Sequence, residues 1–517
     1  TLEDYALRFT AKSARRWSAA RVSTTALGAI AFLALEAIGG TITLHYGFSN
    51  AVFATLVVGA IIFLTALPIS YYAARYGVDI DLLTRGAGFG YIGSTITSLI
   101  YASFTFIFFA IEAAIMAMAL ELLFGVPLVL GYLICAVVII PLVTHGITAI
   151  SRFQVWTQPF WLVLQILPFA AIIWLDASAV SDWTQFTGTG PATDSQPGLN
   201  LAMFGAASAV LFSLIAQIGE QVDFLRFIPK PQAHQKLRWW TAVIAGGPGW
   251  IVLGVVKIMG GSLLAVLALS QGIPASEAAD PTQMYQVAFN YVTQSPEVSL
   301  ALAGIFVILC QVKINVTNAY AGSIAWSNFF SRLTHSHPGR VVWLIFNVSI
   351  ALLVMELGVY RALEETLGYY GIVAIAWVGA LVADLVINKP LGLSPAHIEF
   401  KRAHLYDINP VGVGAMVLAS VFGMLCHGGV FGSVAQALSH FLALGVALVT
   451  APLIAWYTRG RYYLARPPVA IPTSESLATC VICEHRFEAG DLAHCPAYDG
   501  IICSLCCSLD ARCGDLC

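Results

Sequence analysis

Twelve stretches of roughly 20 or more apolar residues, the length an α-helix needs to cross a hydrocarbon layer about 30 Å thick, can be laid along this 517-residue chain. They fall near 22–46, 51–74, 92–124, 126–148, 156–175, 200–225, 238–270, 298–330, 340–358, 367–388, 411–430 and 434–457. Inside a bilayer no water satisfies a free peptide group, so each stretch must be a helix that closes its own hydrogen bonds. Only 10% of the residues are charged and 58% are hydrophobic, which excludes an ordinary soluble domain. The sequence predicts an all-α polytopic membrane protein. A net charge of −3 argues for no charged partner, and nothing supports a nucleic-acid role.

Charge sets the expected orientation. Arg8, Lys12, Arg15, Arg16 and Arg21 precede the first span, and Arg75 and Arg85 follow the second. Arg152 follows the fourth, Arg226, Lys230, Lys236 and Arg238 the sixth, and Arg332 and Arg340 the eighth. Lys389, Lys401 and Arg402 follow the tenth, and Arg459, Arg461 and Arg466 the twelfth. The long loops 176–199 and 271–297, on the other side, hold no Lys or Arg; Arg361 alone departs from the pattern. The positive-inside rule then puts both termini in the cytoplasm.

Two spans at corresponding places carry a polar residue beside a glycine. The first, "ALGAIAFLALEAIGGTITLHYG", has Glu36 before Gly39-Gly40, and the sixth, "FGAASAVLFSLIAQIGEQVDFLRF", has Gln217 before Gly219-Glu220. Five spans apart, they run in opposite senses. A helix broken there frees amides and carbonyls at bilayer depth, tolerable only where they line a cavity or meet a ligand. One glycine alone reads as a packing residue; a matched pair with carboxylates attached points to a binding site. Glu36, Glu112, Glu220, Lys257 and Lys313 all lie within spans, each costing about 2.5–3.5 kcal/mol at the bilayer centre on insertion scales. They are expected to face one another or water, with a structural ion pair as the competing role, above all for Lys257.

Several segments carry a resemblance: "EDYALRF…RRWS" before the first span, "LLTRGAGFGYIGS" into the third and "GEQVDFLRFIPK" closing the sixth. "NVTNAYAGSIAWSNF" in the eighth and "AWVGALVADLVI" in the tenth complete the set. Over roughly 1–466 the chain resembles the nucleobase:cation symporters, which include purine–cytosine permeases and hydantoin transporters. The resemblance implies a LeuT-type fold, two inverted five-helix repeats within twelve transmembrane helices, with ligand held by spans one, three, six and eight. By position, Phe108 stands where the family stacks a tryptophan on its substrate, and Glu112 where a polar residue bonds it. Leu214 replaces the second stacking tryptophan, which weakens one face of the sandwich. Gln217, Glu220, Asn315, Asn318 and Glu36 are the remaining candidates for a nucleobase-like heterocycle or an amine-bearing compound. In sodium-coupled members hydroxyl residues of the eighth span serve the cation; here the segment reads "QVKIN". The resemblance therefore implies Lys313 as a cation-site surrogate and sodium independence, with proton coupling possible; pairing of Lys313 with Glu36 or Glu112 is the competing reading.

The tail is a separate object. Eight of the eleven cysteines fall in "CVICEHRFEAGDLAHCPAYDGIICSLCCSLDARCGDLC". Paired C-x2-C spacing brings thiolates around zinc, and disulfides are rare in the reducing cytoplasm. Two zinc ions are expected, with Cys480, Cys483, Cys503 and Cys506 as one set. Cys495, Cys507, Cys513 and Cys517 form the other, His494 being able to replace one ligand. The expected organisation is a transporter-like membrane domain 1–466, a linker 467–479 and a zinc-binding module 480–517. Transporter-like halves joined through such a segment resemble the input ends of bacterial sensor histidine kinases, and sometimes of nucleotide cyclases. This implies a multi-pass protein of the bacterial inner membrane with a downstream cytoplasmic signalling domain, although no catalytic motif of either enzyme is present in these residues. The alternative is a stand-alone permease for purines, pyrimidines or related heterocycles.

Overall fold

A computed structural model describes residues 7, 9–189, 198–231, 235–358, 363–467, 477–510 and 512–513. Arg8, Arg361, Cys517 and most of the "EDYALRF" segment lie outside the described residues.

Among the described residues nine helices are long and apolar enough to cross a membrane. One of them, Ala34–Tyr76, has 43 residues, roughly 65 Å of helix at 1.5 Å per residue and about twice the hydrocarbon thickness. Gly47, at φ 77° and ψ 164°, divides it in a conformation that glycine adopts without penalty. Residues 19–46 are thus span 1 and 48–76 span 2. Leu128–Thr144 and Arg340–Glu356, 17 residues each, are spans 4 and 9. The others are span 3 (Gly93–Phe124), span 5 (Ile147–Leu175), span 6 (Leu201–Leu225), span 7 (Lys236–Ser270) and span 8 (Pro296–Thr334). Span 10 (Leu367–Asn388), span 11 (Pro410–His427) and span 12 (Ser439–Tyr457) complete the twelve.

The packing has the symmetry of two inverted five-helix repeats. The long helix Ala34–Tyr76, which holds the second half of span 1 and span 2, packs most extensively on span 7, with Gly59 of span 2 against Val255. Span 3 packs on span 8, and a shift of five spans maps the pairs 2–7 and 3–8 onto themselves. The contact of span 3 with span 4 recurs between spans 8 and 9, and that of span 1 with span 5 recurs between spans 6 and 10. Spans 11 and 12 pack on each other and against span 10. Short helices Ser178–Gln185 and Pro281–Asn290 occupy the two loops without basic residues. At the opposite, basic end the sealing is ionic: Arg226 lies 3.5 Å from Asp79 and donates to the Tyr320 hydroxyl at 3.2 Å. Arg332 lies 3.8 Å from Asp81 and donates to Ser94 and Ser98.

Span 1 is interrupted, upstream of its glycines, whereas span 6 only changes from α to 3-10 winding and stays helical throughout. Span 1 is helical over Ala19–Gly28, makes a 3-10 turn over Ala29–Ala31, turns extended at Phe32 (ψ 139°) and resumes as helix from Ala34. Gly39 and Gly40 lie inside that unbroken second half. A Cβ on Gly39 would come within 1.9 Å of the Ile258 carbonyl oxygen, and one on Gly261 within 2.2 Å of the Glu36 carbonyl oxygen. Span 6 tightens to 3-10 over Ser213–Gln217, ahead of Gly219, whose Cβ would meet the Tyr101 ring at 2.2 Å. The glycines serve close approach; the break in span 1 depends on distant side chains that satisfy the freed backbone.

Gly39→Val or Gly261→Val should therefore cost about 1–3 kcal/mol by overpacking against backbone that cannot yield. Gly445→Ala, where a Cβ meets nothing within 4 Å, should melt at or slightly above the wild-type temperature. Fluorescence-detected melting in detergent compares the three.

Candidate functional site

At the break in span 1 the second half-helix begins with amides that lack intrahelical partners. The Ala34 amide donates to Glu112 Oε1 at 3.3 Å, and the Leu33 amide to Gln311 Oε1 at 3.4 Å. A carboxylate at this end is favoured by the helix dipole as well as by the hydrogen bond. The freed Ala31 carbonyl accepts from Lys257 Nζ at 3.3 Å. Spans 3, 8 and 7 each contribute one side chain to the same interruption.

Lys257 also forms a buried ion pair. Its Nζ lies 2.7 Å from Glu36 Oε1 and donates to Gln165 Oε1 at 3.2 Å. The Tyr285 hydroxyl donates to Glu36 Oε1 at 3.0 Å and accepts from Gln165 Nε2 at 2.7 Å. The Trp161 ring centroid lies 5.6 Å from the ammonium. Glu36 is thus held in an ion pair that links the second half of span 1 to spans 5 and 7. Lys313 pairs with neither Glu36 nor Glu112. Its ammonium donates to Thr157 Oγ1 at 2.9 Å, Gln158 Oε1 at 3.2 Å and the Gln154 carbonyl at 3.3 Å, all on span 5. Gln154 Nε2 returns a bond to the Lys313 carbonyl at 2.6 Å.

At the span 6 turn Gln217 Nε2 donates to Glu220 Oε2 at 2.8 Å, and on span 8 Asn318 Nδ2 donates to Asn315 Oδ1 at 3.2 Å. Glu112, Glu220, Asn315 and Asn318 are all buried, yet Glu112 Oε2, Glu220 Oε1, Gln311 Nε2, Asn315 Nδ2 and Asn318 Oδ1 have no hydrogen-bond partner. Buried polar atoms are nearly always bonded, so these atoms on spans 3, 6 and 8 are candidates to receive polar atoms from outside the chain. Phe108, one turn before Glu112, is buried with its ring centroid 4.5 Å from that of Phe104. Leu214 is fully buried within the 3-10 turn.

The sequence-predicted residues separate into two groups. Glu112 meets the span 1 break, the pairs Gln217–Glu220 and Asn315–Asn318 hold one another, and Glu36 belongs to the Lys257 pair. Gln311, Gln165, Tyr285, Gln154, Thr157 and Gln158 were not among the predicted site residues. Four of them follow from a signal in span 5: polar residues at 154, 157, 158 and 165 recur at helical spacing in an otherwise apolar run and mark an inward face.

The tail holds a candidate metal centre. Strand β1 (Leu477–Thr479) pairs antiparallel with β2 (Arg486–Glu488), and β3 (Leu492–Cys495) with β4 (Gly500–Cys503). The turn after β1 and the end of β4 bring the thiol sulfurs of Cys480, Cys483, Cys503 and Cys506 within 4.8 Å of one another. Desolvation opposes ionisation of Cys480, but backbone amides of Cys483, Cys503 and Ile482 outweigh it and bring the thiol down to about 7, toward the thiolate that metals bind. Four sulfurs so gathered can hold a metal ion. Among the described residues no second group of three or more ligand-bearing side chains gathers at such distances. Cys495, Cys507, Cys513 and His494 therefore do not assemble a second set by themselves, and Cys517 lies outside the described residues. The metal centre docks on the basic end: Glu488 accepts from the Lys12 amide at 2.9 Å, Gly490 O from Lys401 Nζ at 3.4 Å and His494 O from Arg466 at 2.8 Å. Helix Ser504–Leu509 packs on span 8 and on Arg402–His404.

No protein-family model matches the sequence, and no curated protein matches it. Among solved structures the chain is similar to Mhp1, a nucleobase-cation-symport-1 family transporter, closed with bromovinylhydantoin bound. That match has 17% identity and a TM-score of 0.64 over 90% of this chain and 100% of the other. The inward-facing conformation of Mhp1 matches with 18% identity and a TM-score of 0.63 over the same shares. A substrate-bound, outward-open Na+-coupled sialic acid symporter matches with 14% identity and a TM-score of 0.54, over 86% of this chain and 91% of that one. At these identities the matches establish the fold: a multi-pass, transporter-like LeuT-type membrane protein, as the segments in spans 3, 6, 8 and 10 implied.

Removing one partner of a buried ion pair leaves an uncompensated charge and costs about 3–5 kcal/mol, whereas replacing both with apolar residues is near neutral. Lys257→Met or Glu36→Met alone should lower the melting temperature sharply, and the double variant should recover more than half of the loss. Additive losses in the double-mutant cycle would deny the pairing.

Proposed function

We propose that the membrane domain binds a small nitrogen-containing ligand between the interrupted span 1 and the 3-10 turn of span 6, and that ligand binding shifts an inward/outward equilibrium of the two repeats. The observation that carries this reading is the set of unpartnered buried polar atoms on spans 3, 6 and 8, beside the break in span 1 and the 3-10 turn of span 6. Mhp1, with bromovinylhydantoin bound, supports a planar heterocycle of nucleobase type; the carboxylates Glu112 and Glu220 support an amine-bearing one.

Binding is sodium-independent in this reading. The support is an internal ammonium on the freed Ala31 carbonyl, supplied by Lys257, with the second ammonium, Lys313, held on span 5. The basic end faces the cytoplasm of a bacterial inner membrane, in keeping with the positive-inside rule. Zinc occupies the Cys480–Cys483–Cys503–Cys506 site, the metal that four thiolates in a small module suit best; a second ion on Cys495, Cys507, Cys513 and Cys517 completes the proposed pair. The module serves as the connector through which the membrane domain acts as the sensory input of a signalling protein, with a histidine kinase as the favoured output. Its contacts with Lys12 ahead of span 1, with span 8 and with Lys401 and Arg466 support this role. The second reading, a stand-alone secondary transporter, is supported by the three transporters of the same fold.

A thermal-shift screen of purines, pyrimidines, hydantoins and small amines, each in sodium and in choline buffer, tests the site. A ligand at about 100 times its Kd adds roughly 2.7 kcal/mol of apparent stability, and the expected shift is equal in the two buffers; a shift that needs sodium contradicts the internal-ammonium reading. Elemental analysis should find zinc in the purified protein, with one ion fewer in Cys480→Ser or Cys503→Ser. Undiminished zinc in both variants contradicts the four-thiolate site.

A further inference from the structure

Neither carboxylate of the broken-span site is in an ion pair, and the two lysines within the membrane spans nearby are already committed. Lys257 is held by Glu36, Gln165 and the Ala31 carbonyl. Lys313 is held by Thr157, Gln158 and the Gln154 carbonyl. Among the described residues no basic side chain forms an ion pair with Glu112 or Glu220. Glu112 gives one oxygen to the Ala34 amide and Glu220 gives one to the Gln217 amide; the other oxygen of each is buried without a partner. Burying two such groups costs several kcal/mol unless something cationic meets them.

We propose that the ligand of this site is a planar cation rich in N–H donors, of amidinium or guanidinium type, whose charge is met by Glu112 and Glu220. This deepens the preceding reading and rests on it. The free oxygens of the two carboxylates and Asn318 Oδ1 are acceptors that want donors, while Gln311 Nε2 and Asn315 Nδ2 are the only matching unpartnered donors among the site residues named. A neutral nucleobase brings acceptors and donors in similar number and no charge, so it leaves both carboxylates uncompensated. An amidinium or guanidinium brings donors only, spread across a plane. Phe108, a turn away from Glu112 and packed on Phe104, offers the aromatic face on which such a cation rests favourably. Leu214 across the span 6 turn asks for no second stacking partner. A proton and this cation compete for the same carboxylates, so binding tightens as pH rises and releases protons.

Isothermal titration of the purified protein in detergent, in two buffers of different ionisation enthalpy, measures affinity and proton release together. Benzamidinium and phenylguanidinium are compared with their neutral near-isosteres benzamide and phenylurea, and with uracil and hydantoin. At least one cation should bind tenfold or more tightly than its isostere and release protons. Glu112→Gln and Glu220→Gln should each weaken it at least tenfold, with folding checked by melting temperature. Should either variant fail to fold, the rise of wild-type affinity with pH is the second readout. The inference is overturned if a neutral compound binds as tightly as the cations, or if both glutamine variants bind the cation as the wild type does. In those cases the broken-span site itself stands; binding by none of the six compounds overturns site and inference together.

Discussion

The constraint on which this structure depends is the cost of breaking a helix where no water can repair it. Span 1 is interrupted at bilayer depth, and each group freed there must find a partner inside the protein. At span 1 the repair comes from three directions: a glutamate on span 3 for the Ala34 amide, a glutamine on span 8 for the Leu33 amide, and a lysine on span 7 for the Ala31 carbonyl. These bonds tie the first half of one repeat to elements of both repeats. Any change in what the break contains is therefore felt by spans 3, 7 and 8 at once, which is the mechanical basis for a ligand-driven shift between two packings.

Electrostatics divides the interior into two zones. In one, Glu36 and Lys257 form an ion pair with help from Tyr285 and Gln165, and Lys313 is anchored on span 5. In the other, Glu112 and Glu220 are left with free oxygens beside unpartnered amides of Gln311 and Asn315. The free carboxylate oxygens on spans 3 and 6 are unmet polarity that a ligand can meet.

The architecture was legible because bilayer physics writes it in long apolar runs: all twelve span positions, the interruption of span 1 and the Cys480–Cys483–Cys503–Cys506 cluster follow from pattern and spacing, while span 6 stays helical through its 3-10 turn. The position of the break was not, because glycine marks close approach as readily as interruption; Gly39 admits the Ile258 carbonyl and Gly219 admits Tyr101. Nor was the choice of partner for each lysine. Lys257 and Glu36 are 221 residues apart, and which ammonium reaches the Ala31 carbonyl is decided by how spans 1, 5 and 7 pack. Lys313 stands at the family's cation segment in sequence, yet its side chain turns to span 5. The polar face of span 5 was the missed clue.

The most direct measurement is an experimental density map of the protein in sodium-containing buffer, resolved well enough to place side chains at the span 1 break. The account predicts Lys257 Nζ against the Ala31 carbonyl and Glu36, with no cation density between spans 1 and 8. An ion coordinated by the freed carbonyls, with Lys257 turned away, would contradict it.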